Sequence, residues 1–374
     1  VPDLPMQKQK KIYLTVTNDL NQDQRMHRVC LSLRNQGYEV VFIGREKKES
    51  KPLLEFPFRQ IRLKCFFEKG FLFYAEFNIR LFLFLLFKKI DILYAVDLDT
   101  IAVGGMVKIF KRISLIFDAH EYFEETPEVY KRPFVKFIWS SIGRTFVSYA
   151  DRYITVNESL ALILGELYNR HFEVIYNAPV YSEIIENEHT NCEKPYILYQ
   201  GVLNKGRGIS ETIDAMEMIK DVDLYLVGEG DLSVELREKA SKSKAHNRIV
   251  FLGWLSPNDM KNYTLGATLG INLLDGTCKN YYYSLANKFF DYMHQGIPSV
   301  NMDFPEYRGI INKYEVGILV QELTPEAIST VINGLLEDKN RLHEMRVNCQ
   351  NASQKYNWQN EEQKIVKLFK SLID

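Results

Sequence analysis

Short apolar strands alternate with amphipathic helices twice along this chain, and that alternation leaves few folds open to it. Lys11–Thr17 (KIYLTVT) reads as a buried strand ending at the turn-prone Asn18-Asp19. Met26, Val29, Cys30 and Leu33 then fall at i, i+3, i+4 and i+7, one face of a helix that stops at Gly37. Tyr38–Ile43 is strand-like again. The unit recurs with strands at Ile92–Val96, Ile113–Phe117, Arg152–Val156 and Val174–Tyr176, and with helices from about Asp99, from about Pro133 and up to about Tyr168. Such alternation implies a parallel sheet covered on both faces. Residues Val180–Pro195 interrupt it with a polar, acidic stretch bracketed by prolines, which suits a linker. The pattern restarts at Tyr196–Tyr199. A helix over Ile209–Ile219, strands at Leu224–Val227, Ile249–Leu252 and Leu269–Leu273, a helix to about His294, a strand at Ser299–Met302 and three closing helical stretches follow. A length of 374 residues suits two domains. The expected boundaries are 1–179, a linker at 180–195, and 196–354, with a last helix at about 355–374.

Composition narrows the function. A net charge of -1 argues against nucleic acid as the main partner, which needs a cationic excess. The first 178 residues hold 26 Lys and Arg against 21 Asp and Glu, a mild basic bias. Five dispersed cysteines form neither a disulfide framework nor a zinc site, so a reducing cytoplasm is the expected setting. The opening VPDLPMQKQKK has no apolar signal core. The loop after the first strand, NDLNQDQRMHR, lacks the glycines of a dinucleotide fingerprint, which argues against nicotinamide or flavin.

In parallel sheets ligands bind at the carboxyl ends of strands, so chemistry is sought in strand-to-helix loops. The loop Gly201–Gly208 (GVLNKGRG) has three glycines that let backbone approach a ligand, two cations in Lys205 and Arg207, and a helix start behind it. It suits a diphosphate, although a plain turn with surface cations has the same composition. A second segment, Tyr283–Val300 (YSLANKFFDYMHQGIPSV), places Ser284 as a helix cap. Asp291 stands among Phe289, Phe290, Tyr292 and Met293. A carboxylate in apolar company needs a partner, and ribose hydroxyls are suitable ones.

These segments, with "LVGEG", "IVFLGWL", "DFPEYR", "IFDAHEYFEETPE" (116–128), "YITVNESLALIL", "VIYNAP" and "KYNWQNEEQKIVKLF", resemble glycosyltransferase family four over nearly the whole chain. The resemblance implies the GT-B fold: two Rossmann-like α/β domains with parallel sheets facing an interdomain cleft, the first on the acceptor side and the second binding the nucleotide sugar. It implies a retaining, metal-independent hexosyltransferase acting from a UDP- or GDP-linked donor, with no separate cofactor. Arg207, with Lys205 nearby, takes the place of the cation that stabilises the departing diphosphate. Gly201, Gly206 and Gly208 form the donor loop. Amides around Ser284, Leu285, Ala286 and Asn287, together with Lys288, face phosphate. Asp291 stands for the ribose-binding carboxylate, and His120 for the histidine that contacts the donor sugar. Tyr283 replaces the first Glu of the Glu-x7-Glu motif, and Val202 an Arg common after the first glycine. A glycan, lipid-linked or other hydroxyl acceptor in surface polysaccharide or glycoconjugate assembly is the expected partner.

Residue readings outside those motifs stay open. Asp97 and Asp99 end a strand and are read as acceptor contacts rather than metal ligands. Asp23 and Arg25 either pair with each other or face the acceptor. Glu121, Glu124 and Glu125 are read as a solvated face, with an acceptor contact as the alternative. Phe71–Lys89 is either a helix packed on the first sheet or an interfacial helix on anionic lipid at the inner face of the plasma membrane. Three rival activities remain: a sugar-nucleotide epimerase of the same fold, a phosphorylase that would need a lysine for pyridoxal phosphate, and a nucleotide-binding scaffold without turnover.

Overall fold

The computed structural model describes residues 9–183 and 194–372. Most of the linker, Cys192 and the first eight residues lie outside those described. The chain divides into two compact units, Val1–Asn177 with Glu361–Asp374, and Ala178–Asn360.

The first unit is built on a seven-stranded sheet: β1 (Lys11–Thr15), β2 (Glu39–Glu46), β3 (Arg59–Lys64), β4 (Ile92–Val96), β5 (Ser114–Ala119), β6 (Arg152–Thr155) and β7 (Glu173–Val174). Its order is β3-β2-β1-β4-β5-β6-β7, and every neighbouring pair is parallel. The central strands are largely apolar because helices cover both faces, and every residue of β4 is buried. β3 was not foreseen. Its sequence RQIRLK has no apolar run because it is an edge strand, where charge discourages pairing with another chain.

The second unit has a six-stranded parallel sheet: β8 (Tyr196–Gln200), β9 (Asp223–Val227), β10 (Ile249–Gly253), β11 (Leu269–Asn272), β12 (Ser299–Met302) and β13 (Gly317–Val320), in the order β10-β9-β8-β11-β12-β13. β13 is the second strand that sequence reading missed, a four-residue edge. The helix expected to reach Ile219 ends at Ala215, and tighter turns finish the segment. Both sheets reverse their winding once, between β1 and β4 and between β8 and β11. At such points the flanking loops diverge and leave a crevice at the carboxyl edge.

The closing helix Trp358–Lys370 is tied to the first unit from Glu361 onward. The Glu361 carboxylate accepts from the Tyr176 amide at 3.0 Å, and the Phe369 ring stacks on Tyr94 at 6.1 Å. Cys30, Cys65, Cys278 and Cys349 are free thiols.

Candidate functional site

The carboxyl end of β8 runs straight into the glycine loop. Gly201, Gly206 and Gly208 all have positive φ, +130°, +79° and +63°, which side chains rarely adopt. Space enforces the same choice. A Cβ on Gly208 would lie 2.6 Å from that of Leu273, and one on Gly206 would lie 2.9 Å from the Tyr281 ring. The loop is clamped from behind. Gly228 and Gly230 pack so closely that a Cβ on Gly228 would overlap the Gly201 carbonyl, while the Leu203 amide donates to the Glu229 carbonyl at 3.2 Å. The Asp275 amide, beyond β11, donates to Gly206 at 2.9 Å.

Two cations meet here. Lys288 is buried, and its Nζ rests 3.7 Å from the centroid of the Tyr199 ring. No carboxylate lies within ion-pair distance of it among the described residues. Burial, and then the charge of Arg207, push its pKa well below the usual lysine range, with Asp291 opposing. The Arg207 guanidinium lies over the Tyr281 ring at 5.0 Å, and its Nε is buried without a hydrogen-bond partner. Lys288 and Arg207 disfavour each other's charge around the glycine loop, and a diphosphate has the charge and the acceptor oxygens to hold both protonated. Lys205 is exposed on the same loop.

The helix Asn287–His294 starts two residues later than expected, with Ala286 at the cap position and no side-chain cap. Ser284 therefore does not cap it; its hydroxyl donates to the Tyr281 carbonyl at 2.9 Å. The Ser284 amide also goes to Tyr281, and the Ala286 amide donates to the Tyr307 hydroxyl at 3.0 Å. That removes two of the amides assigned to phosphate and leaves Leu285 and Lys288 the stronger candidates beside Asn287. Asp291 faces β8: the Gln200 side-chain amide donates to its Oδ2 at 3.2 Å, and Thr264 fixes Gln200 by donating to Oε1 at 2.8 Å. Asp291→Asn is expected to weaken nucleoside diphosphate binding by about 1–3 kcal/mol, the scale of a charge-assisted hydrogen bond. Calorimetric titration checks it, and an unchanged affinity in folded protein would remove the ribose role.

The first unit has its own cluster at the ends of β4 and β5. Asp118 is fully buried. Arg25 donates to both its oxygens at 3.2 Å, the Tyr94 hydroxyl to Oδ2 at 2.6 Å, and His120 Nε2 sits 2.8 Å from the same oxygen. The cost of burial is outweighed by Arg25 and His120, so the Asp118 carboxyl is held far below the usual carboxylate range. Burial disfavours charge on His120 as well, yet the Asp118 carboxylate beside it raises its pKa overall. Nε2 is thus committed inward, leaving Nδ1 as the nitrogen available to a ligand.

Arg25 is therefore paired with Asp118 and not with Asp23. It is buried and satisfied by Asp118 and by the Ile175 carbonyl at 2.7 Å. Asp23 does not pair with Arg25; it caps the helix Gln24–Asn35 through the Met26 amide at 3.0 Å. Asp97 holds a strained backbone, φ +56° and ψ 175°, and accepts from the His120 amide at 2.8 Å. Asp99 accepts from the Thr17 hydroxyl. Glu121 lines a small cavity with Asp97, Tyr122 and Tyr168. Glu124 and Glu125 are buried, against the solvated reading, because the turn Phe123–Glu125 tucks under the helix Pro133–Phe146, whose Lys136 pairs with Glu125. Among the described residues no group of three or more His, Cys, Asp or Glu is placed to hold a metal.

Burial pushes the Asp99 carboxyl up to about 7, with Glu121 adding to the shift and Thr17 opposing it. The folded protein thus keeps a proton that the unfolded chain loses near pH 4. The stabilisation is complete below that pH and is lost as pH rises toward about 7. Denaturant titrations are expected to show a flatter decline of stability over this window in Asp99→Asn than in the parent.

Tyr199, Gln200, Tyr307, Gly228 and Asp118 are the supporting residues that sequence reading did not assign. Only the closely spaced glycines of LVGEG and the Asp of FDAH carried any signal.

Comparison with known proteins agrees with this geometry. Residues 23–178 match the family described as Glycosyltransferase Family 4, and residues 180–356 match Glycosyl transferases group 1. The sucrose-phosphate synthase of Thermosynechococcus elongatus has the same fold over 98% of this chain and 99% of its own, with a TM-score of 0.82 and 17% identity. Anabaena HepE in complex with UDP and glucose follows at 0.79 and 16%, covering 97% and 100%. The lipopolysaccharide outer core galactosyltransferase WaaB, in its apo form, gives 0.67 and 13%, covering 96% and 99%. No curated protein matches at the sequence level. The chain is a GT-B-fold glycosyltransferase related to both of those families. It is a nucleotide-sugar-dependent enzyme that transfers a sugar to an acceptor.

Proposed function

We propose that the donor is a UDP-sugar and that transfer proceeds with retention to a hydroxyl of a glycan or lipid-linked acceptor, in surface polysaccharide or glycoconjugate assembly. The observation that carries this is the buried Lys288 beside Arg207 at the glycine loop, two cations with no carboxylate paired to either among the described residues. As the bond from the anomeric carbon to the diphosphate breaks, negative charge grows on the leaving phosphate. Arg207, Lys288 and the amides behind the loop stabilise it, with Lys205 at its exposed rim. The acceptor oxygen joins the same face, and its proton passes to the departing phosphate oxygen. In the first unit His120, fixed through Nε2, keeps Nδ1 open to a hydroxyl-bearing ligand. UDP is favoured over GDP because HepE was solved with UDP, and the glycoconjugate setting is favoured by WaaB.

The test is transfer from a panel of UDP-sugars to glycan and lipid acceptors, in excess EDTA. Persistent transfer, with the anomeric configuration kept in the product, is the expected result. Loss of transfer that Mg²⁺ or Mn²⁺ restores would return Asp97 and Asp99 to consideration as metal ligands. A new sugar isomer formed from donor alone would indicate an epimerase.

A further inference from the structure

Helices on one side of the first sheet carry an apolar surface turned outward. The helix Gly70–Leu86 has two apolar stripes. Phe73, Phe77, Leu81 and Leu85 are buried against the unit, while Phe71, Leu72, Ile79 and Leu83 point away from it, followed by Phe87 at 82% exposure. The helix Pro133–Phe146 buries Trp139 and leaves Phe134 at 75% exposure with Phe137 also open. Ile109 and Phe110 end the helix Leu98–Phe110, and Phe66 precedes the first of the three at 87% exposure. Ring contacts join these elements into one layer. Tyr74 meets Trp139 at 5.1 Å, Phe82 meets Phe110 at 6.0 Å, and Phe146 presses on Gly105. Soluble proteins seldom leave so much contiguous apolar surface without a partner.

Charge identifies the partner. Segments 69–89, 108–112 and 131–149 together hold eleven Lys and Arg, of which Lys108 pairs with Asp151 and Lys136 with Glu125, and within them a single acidic residue, Glu76. That carboxylate is already occupied by Arg80 at 2.8 Å and by the Phe66 and Phe67 amides. Two cations lie along the aromatic rings: Lys88 over Phe84 at 4.8 Å and Arg80 over Phe66 at 5.3 Å. A second copy of the chain would set these cations against their own kind, whereas an anionic lipid surface complements both the rings and the charges. Among the described residues no helix is long and apolar enough to cross a membrane.

We propose that these three helices form a single face that seats the first unit in the plane of an anionic bilayer. Exposed aromatic side chains enter the headgroup region while the surrounding Lys and Arg stay at its level. Asn78, on the first helix, donates to the Asp99 carbonyl at 2.9 Å, so this face adjoins the strand-end carboxylates. The inference does not depend on the donor reading, because no donor-loop residue takes part in it.

Co-sedimentation with vesicles of phosphatidylcholine, with and without phosphatidylglycerol, tests it on the full chain. Binding to the phosphatidylglycerol vesicles that declines with salt is expected, with weak binding to neutral ones. Phe134→Ser with Phe137→Ser, and separately Lys131→Gln with Arg132→Gln, should each lower binding by at least about tenfold. These substitutions lie on or just before the helix Pro133–Phe146, which sequence reading did not associate with lipid. Their melting temperature and UDP binding should match the parent, which separates lost docking from lost folding. Absence of vesicle binding at any salt would overturn the proposal, as would parent-like binding by both double variants. Lipid-free self-association that Phe134→Ser abolishes would assign the face to a second copy instead.

Discussion

Replacing Arg207 with Ala will lower turnover by roughly 10²–10³ while the protein stays folded, the loss that follows removal of one preorganised transition-state charge. The guanidinium sits between Gly206 and Gly208, whose positive φ values fix the loop, and it lies over the Tyr281 ring rather than in an ion pair. No carboxylate is left unpaired when it goes, so stability should change little. Removing a charge next to Lys288 should also let that lysine hold its proton more readily, because Arg207 is one of the causes of its depressed pKa. The effect should therefore appear in kcat more than in KM for the donor, since Lys288 still attracts the ground-state diphosphate. Steady-state kinetics decide the matter. Near-parental kcat would move the leaving-group role to Lys288, Lys205 or the helix amides.

Asp118→Asn will destabilise the first unit by about 3–5 kcal/mol, the usual cost of breaking a buried ion pair from one side. The Arg25 guanidinium is as buried as its partner and would keep its charge without a counterion. His120 would lose the carboxylate that raises its pKa and would become neutral over more of the physiological range. A carboxyl held below its ordinary value stabilises the fold above about pH 4, and that contribution is lost as pH falls further. Asp118→Asn should abolish this acid sensitivity while lowering stability at neutral pH. Chemical denaturation at several pH values measures both, and a loss under about 1 kcal/mol would mean that Arg25 finds another partner.

How far the sequence reveals this molecule depends on what each residue faces. Strands buried on both sides, such as β4 and β8, are continuous apolar runs, and their positions follow from that. The edge β3 has no such run, because one flank of it meets no strand, and β13 is apolar but only four residues long. The glycine loop was legible because its glycines must adopt positive φ and its cations stand beside them. Lys288 was legible only through resemblance, since its burial under Tyr199 comes from a strand 89 positions away (288 against 199). Arg25 and Asp23 were misread for the same reason. Composition gives the charge of a side chain in a loop, but only the fold showed that Asp118, 93 positions on, claims Arg25. Ser284 was misplaced as a cap because the preceding turn, Lys279–Tyr282, engages its hydroxyl through the Tyr281 carbonyl.

The claim at the centre of this account is that the glycine loop of the second unit holds the diphosphate of a nucleotide sugar. Thermal unfolding with UDP, GDP and UMP tests it directly, because a ligand that binds only the folded state raises stability by mass action, about 2.7 kcal/mol at 100 times its Kd. UDP should raise the midpoint clearly, UMP far less at equal concentration, and the difference should shrink in Arg207→Ala and Lys288→Gln. Equal shifts from UDP and UMP, or none from any nucleoside diphosphate, would contradict the assignment.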